Sequence, residues 1–217
     1  MHAHAADVAA TRPRVPAWVT VLLLFALVLS AVLWAQHAPR FFVFTADSYR
    51  DFWSRKVSML LHVVGGTLPL FLGPLLLWSG LARWRPRVHR WAGRAYMVSG
   101  ALGAGAGAVL SLIAASPPRS LYVATFTLAV AWFVAAGMAW RAIRNRRIDA
   151  HREWVIRSYV LTLTFVICRI AMKVPAFTAG GGEALTAIVW VAWIVPLLAT
   201  EVALQWQRGS RVTSPGT

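Results

Sequence analysis

Three groups of polar side chains interrupt an otherwise apolar sequence, and each suggests its own chemistry. The first is a pair of histidines set among arginines: Arg90 and Arg94 follow His89, and Arg152 and Arg157 follow His151. Two neutral imidazoles can ligate b-type haem between membrane helices, with arginines at the propionates. The same guanidinium groups can instead hold a phosphate or a carboxylate without any metal. The second group is His62 with Arg169 and the third is Glu201, all inside apolar runs. Ionisable groups in such places are costly, and they mark ligand sites, ion paths or paired charges. His62 finds no second histidine to serve as its partner, which counts against a four-histidine, two-haem arrangement.

Hydrolytic and nucleotide chemistry is excluded on motif grounds. The chain has no Walker loop, no Gly-x-Ser-x-Gly and no His-Glu-x-x-His. Gly100-x-x-Gly103-x-Gly105 lies inside an apolar run and follows no strand, so it is not a dinucleotide loop. The lone Cys168 allows neither an intrachain disulfide nor a cysteine-built metal site. No catalytic residues are assigned, and the expectation is a protein without enzymatic activity.

The elements that position these groups follow from composition. The 217 residues carry a net charge of +15, yet 59% are hydrophobic and only 13% charged, with a mean hydropathy of +0.60. A pI near 11.7 by itself suggests nucleic acid. The hydropathy excludes that partner, because soluble chains carry about a quarter charged residues. Crossing a bilayer takes about 20 mostly apolar residues, and six such runs are present: 17–36, 57–81, 95–115, 121–140, 155–174 and 184–206. The reading is an all-α, polytopic six-helix transmembrane bundle over 17–207, with an N-terminal tail at 1–16 and a C-terminal tail at 208–217. The first run is too long for a signal-peptide core, and Trp34 to Ala38 is a poor cleavage context, so it is read as a retained anchor.

Lysine and arginine bias sets the expected orientation. With the N-terminus cytoplasmic, the inner segments hold 15 of the 22 basic residues and the outer segments six, with Arg169 inside a span. Both termini are therefore expected on the cytoplasmic side of the membrane. The inner arginines imply anionic phospholipid headgroups as partners. A homo-oligomer or a redox partner is compatible with the sequence. The outer loop 36–56, rich in Phe and Trp, is expected to lie in the interface.

The two long basic segments repeat one another. His89-Arg90, Trp91, Arg94 and Tyr96 match His151-Arg152, Trp154, Arg157 and Tyr159 with a one-residue gap. The second and third spans thus read as a hairpin duplicated in the fourth and fifth, and sites often lie between such repeats. These paired motifs, with Gly93, His62 and an arginine (Arg169) in the following helix, resemble the bacterial integral-membrane family grouped as domain of unknown function 2306. The resemblance covers roughly Leu61 to Val174. It implies an integral-membrane fold in the inner membrane of a bacterium and supplies no established activity.

Depth arithmetic refines the candidates. At 1.5 Å per residue, His62 lies about 8 Å into its span and Arg169 about 18 Å from the inner end, so both fall in the outer half. Ser158, Thr162, Arg169 and Lys173 form one helical stripe that should face the interior. Glu201 falls near the inner end as a partner for arginines. Ser99, Gly103, Gly107 and Ser111 make a flat face for close helix approach, expected to be internal. Two functional readings follow. In the first, His89, Arg90, Arg94, His151, Arg152, Arg157 and Glu201 surround an anionic group at the inner face. In the second, His89 and His151 bind haem b in a membrane redox component.

Overall fold

The computed structural model describes residues 15–113 and 118–212, with side chains described as far as residue 209. His2, His4, Arg12 and Arg14 of the leader, Pro117 and the side chain of Arg211 lie outside the described residues. Among those described there is no strand, and six helices are long and apolar enough to cross a membrane. In chain order the helices are α1 (Ala17–His37), α2 (Ala46–Tyr49), α3 (Lys56–Leu81), α4 (Pro86–Leu112), α5 (Arg119–Arg144), α6 (Ile148–Thr162), α7 (Thr164–Ala171), α8 (Pro175–Thr178) and α9 (Gly181–Val212). The fifth span is the pair α6 and α7.

The centre is formed by α3, α4, α5 and α6, with α1 against α3 and α7, and α9 against α5, α6 and α7. Outward faces carry large apolar side chains in the open, such as Leu22, Phe25, Val98, Val191 and Val202. That is the surface a lipid-facing helix presents, because hydrocarbon accepts apolar groups and offers nothing to polar ones. Inside, Tyr96, Trp132, Ala135, Ala136, Tyr159 and Trp193 pack into one core.

The two halves of the duplication pack by different means. Within the first hairpin, α3 and α4 meet backbone to backbone, and a Cβ on Gly65 or Gly103 would collide with main-chain atoms of the other helix. The small-residue face on α4 is therefore an internal contact. Gly103 lies on Gly65 and Gly66, Gly107 lies under His62, and Ser111 bonds Thr125 of α5 at 2.6 Å. The second hairpin relies on alanine, with Ala135, Ala136, Ala139 and Ala142 of α5 all buried.

Both hairpins begin their turn in the same way, although only the first has a second left-handed residue, Arg85 (φ 39°), before its next helix. Arg83 and Arg146 occupy the left-handed region (φ 49° and 57°). The next amide reaches back five residues in each case: Trp84 N–H to the Ser79 carbonyl at 3.0 Å, Arg147 N–H to the Ala142 carbonyl at 2.9 Å. This is a Schellman ending, a place where glycine is usual. Pro86 then starts α4 at a position where a missing N–H is harmless.

The span from Ile148 to Ala171 breaks at Leu163 without a proline. Ser158 Oγ donates to the Val155 carbonyl at 2.9 Å and Thr162 Oγ1 to the Ser158 carbonyl at 2.9 Å. Hydroxyls that bond back to the preceding turn compete with the helical ladder and bend it. The loop after α1 is built on aromatic rings. Tyr49 is fully buried, donates to the Phe41 carbonyl at 2.6 Å, and stands edge-on to Phe41 and Phe44.

Candidate functional site

The duplicated motif lies at the end of the bundle where both hairpins turn, here called the basic end. Because α4 begins at Pro86 and α6 at Ile148, the two histidines stand on the first turns of helices. Each reaches back over its own turn. His89 Nδ1 meets Ser79 Oγ at 2.9 Å. The Ser79 hydroxyl also lies 3.3 Å from the Leu76 carbonyl, so the proton between Ser79 and the imidazole belongs to either group according to the tautomer. His151 Nδ1 donates to the Ala139 carbonyl at 3.0 Å. Gly80 leaves room for the first ring, since a Cβ there would sit 3.3 Å from His89 Cε1. The two rings are near enough to interact electrostatically. Neither Nε2 has a partner among the described residues, and an imidazole fixed through Nδ1–H presents Nε2 as a lone pair.

The arginines divide into two classes. Arg157 is buried and its charge is consumed by the fold: Nε and Nη2 donate to Glu201 Oε2 at 3.0 and 2.5 Å. Its Nη1 lies 3.6 Å from Glu153, its guanidinium lies 4.6 Å from the Trp154 ring, and Arg208 of α9 pairs with the same Glu153. Glu201 also accepts from Gln205 at 2.7 Å. This network ties α6 to α9. Arg152 pairs with Asp149 at 3.7 Å in an exposed setting. With Asp149, Glu153 and Glu201 all engaged, no carboxylate at this end is left for the rest among the described residues. Arg90 makes no hydrogen bond or ion pair among the described residues, and Arg94 rests only on the Trp91 ring at 4.8 Å. Both are exposed.

Between the hairpins lies a network of hydroxyls. The Tyr96 hydroxyl lies 3.1 Å from Ser158 Oγ and 3.3 Å from Thr162 Oγ1, and Trp132 Nε1 donates to Thr162 Oγ1 at 3.1 Å. Tyr159, the repeat partner of Tyr96, has a buried hydroxyl with no hydrogen-bond partner, and its ring fills the space that Gly73 leaves open. The paired tyrosines of the motif and the Ser158–Thr162 spacing hinted at this network. Nothing in the sequence singled out Trp132 or Ser79.

At the far end, His62 Nδ1–H donates to the Gly103 carbonyl at 2.8 Å, an acceptor that the glycine contact between α3 and α4 brings into reach. Arg169 lies close enough to act on His62 electrostatically without bonding to it. The stripe on the fifth span turns outward only at its end: Ser158 is buried, Thr162 is bonded and Arg169 is half-buried, whereas Lys173 is exposed. No group of three His, Cys, Asp or Glu able to hold a metal ion occurs among the described residues.

Comparison with known proteins adds one finding. The family model described as predicted membrane protein (DUF2306) matches residues 59–204, a stretch that contains every residue discussed above from His62 to Glu201. No curated protein and no solved structure matches the chain.

Proposed function

The chain belongs to the DUF2306 family of predicted membrane proteins, and on that premise we propose that it is a multi-pass protein whose basic end engages an anionic group. The observation that carries this reading is the pair Arg90 and Arg94 on the first turns of α4, exposed and without a carboxylate partner among the described residues. A guanidinium matches phosphate and carboxylate geometry with two parallel N–H donors. At a membrane surface each such residue contributes about 1 kcal/mol toward anionic headgroups. In this reading the basic end faces the cytoplasm of a bacterial inner membrane, both termini lie on that side, and the group bound is a phospholipid headgroup or a small acid. His89 and His151 fasten the two hairpins, while Arg157 and Glu201 hold α6 to α9.

Native mass spectrometry of the protein released from mild detergent tests the reading. Anionic phospholipid should stay bound to the native sequence and be lost from Arg90→Gln/Arg94→Gln, while Arg152→Gln retains it. Equal retention by the double variant would remove the basis of the proposal.

One observation favours a second reading. Fixing Nδ1 and leaving Nε2 free is how proteins orient a metal-ligating histidine, and both members of the duplicated motif do so on neighbouring helices. As a membrane redox component the chain would hold haem b between His89 and His151. Expression with added haem should then give a Soret band that either His→Ala change abolishes. A colourless preparation sinks this reading and leaves the first untouched.

A further inference from the structure

The end of the bundle opposite the duplicated motif gathers positive charge that no carboxylate among the described residues neutralises. There α1 and α7 finish side by side. Leu33, Leu70 and Val166 pack α1, α3 and α7 together, and Lys173 Nζ donates to the Gln36 side-chain carbonyl at 2.9 Å. Arg40 follows one turn after Gln36, and Arg169 lies one turn before Lys173. The charges of Arg169, Lys173 and Arg40 all reach His37, Arg40 acts on Arg169, and Arg169 acts on His62 deeper in. Three permanent cations thus gather near His37, and one of them, Arg169, also acts on His62.

Carboxylates from this end of the described chain go elsewhere. Glu183 accepts from Ser120 of α5, and neither Asp47 nor Asp51 forms an ion pair among the described residues. Arg169 is half-buried and makes no hydrogen bond or ion pair among them; its guanidinium lies 4.9 Å from the Phe165 ring centroid. A guanidinium carries five N–H donors in a fixed fork, and an aromatic face satisfies none of them. Like charges gathered in a partly dry site repel more strongly than in water. An oxyanion supplies acceptors for those donors and removes the repulsion together.

We propose that the junction of α1 and α7 is an anion-binding site in which Arg169 grips a carboxylate or phosphate, with Lys173 and Arg40 at its exposed rim. The site is independent of Arg90 and Arg94, and it stands whether or not the basic end binds anything. A phosphate group can arrive as free phosphate or as the headgroup of a lipid, and two arms of one experiment tell these apart.

The full chain is placed in phosphatidylcholine nanodiscs at constant ionic strength, and its melting temperature is followed as inorganic phosphate is added. In the second arm phosphatidylglycerol replaces part of the lipid. The native sequence should be stabilised in at least one arm: a response to phosphate identifies a free anion, and a response to phosphatidylglycerol alone identifies a headgroup. Arg169→Gln should weaken that response by about tenfold, the usual penalty for losing a bidentate charge-assisted contact. Arg169→Lys, which keeps the charge without the fork, should weaken it by a smaller factor. Arg90→Gln/Arg94→Gln should leave an Arg169-dependent response in place. Without added anion, Arg169→Gln should melt no lower than the native sequence. No stabilisation in either arm, the same response in Arg169→Gln, or a large drop for that variant without anion would each overturn the site.

Discussion

The first hairpin, α3–α4, and the second, α5–α6, share a motif, a turn and a histidine fastening, yet they use the shared residues differently. Arg94 and Arg157 occupy equivalent positions; one lies exposed on a tryptophan ring, and the other is buried between two carboxylates. Tyr96 and Tyr159 are equivalent too, but one hydroxyl joins a network and the other has no partner. The difference arises from neighbours. Helix α9 packs on α6 and brings Glu201, whereas no carboxylate among the described residues pairs with Arg94. A duplicated motif thus supplies the same groups twice, and the surroundings decide which copy becomes structural and which stays free to meet a ligand.

Four pairs of substitutions test that contrast. The largest effect is expected where the hairpins pack. Gly65→Val should destabilise by about 3 kcal/mol, because two backbones in contact cannot make way for a side chain. Gly137→Ala on α5, where nothing lies within 4 Å, should fall within about 0.5 kcal/mol of zero. Unfolding in mixed micelles measures both, and equal losses would erase the distinction between glycine and alanine packing.

Arg157→Ala should come next, at about 2 kcal/mol; Glu201 is 41% exposed, which keeps the loss below that of a fully buried pair. Arg94→Ala should change stability by no more than about 0.5 kcal/mol. A large loss from Arg94→Ala would make both copies structural and weaken the case for a ligand at the basic end. Tyr96→Phe should then cost about 1 kcal/mol, while Tyr159→Phe should be neutral or slightly stabilising, since its hydroxyl is buried without a partner. Matching melting shifts for the two tyrosines would contradict the asymmetry. The smallest effects should be equal in both halves. Arg83→Gly and Arg146→Gly should each stabilise by about 0.5 kcal/mol, because glycine enters the left-handed region at little cost. An unequal gain would locate a hidden difference between the two turns.

Much of the fold could be read before any coordinates. Apolar runs long enough to cross a bilayer leave a helix as their only option, since every backbone group in hydrocarbon must be paired within its own segment. The duplication was legible because His, Arg, Trp and Tyr recur at matched offsets. The small-residue face of α4 was legible too, since Ser99, Gly103, Gly107 and Ser111 recur every four residues. The site was legible only as a list of polar residues. Ser79 and Trp132 carry no periodic or charge signal, and their roles depend on which helix lies opposite. The break at Leu163 escaped notice for a related reason: it comes from serine and threonine hydroxyls bonding backwards, and those residues also sit quietly in many straight helices.

By itself the sequence determined that this protein has six apolar helices, that two of its hairpins are copies, and that its basic residues crowd the turns of those copies. Local composition suffices for each, because hydropathy and periodicity are properties of neighbours along the chain. Tertiary structure alone decided that both histidines spend Nδ1 on their own hairpins and, among the described residues, that Arg157 is paired and Arg94 is not, and that Arg40, Arg169 and Lys173 converge without a counter-charge. These are facts about residues far apart in the chain. Charge pairing and desolvation act across space over a few ångströms, and only the packing of α1, α7 and α9 sets those distances.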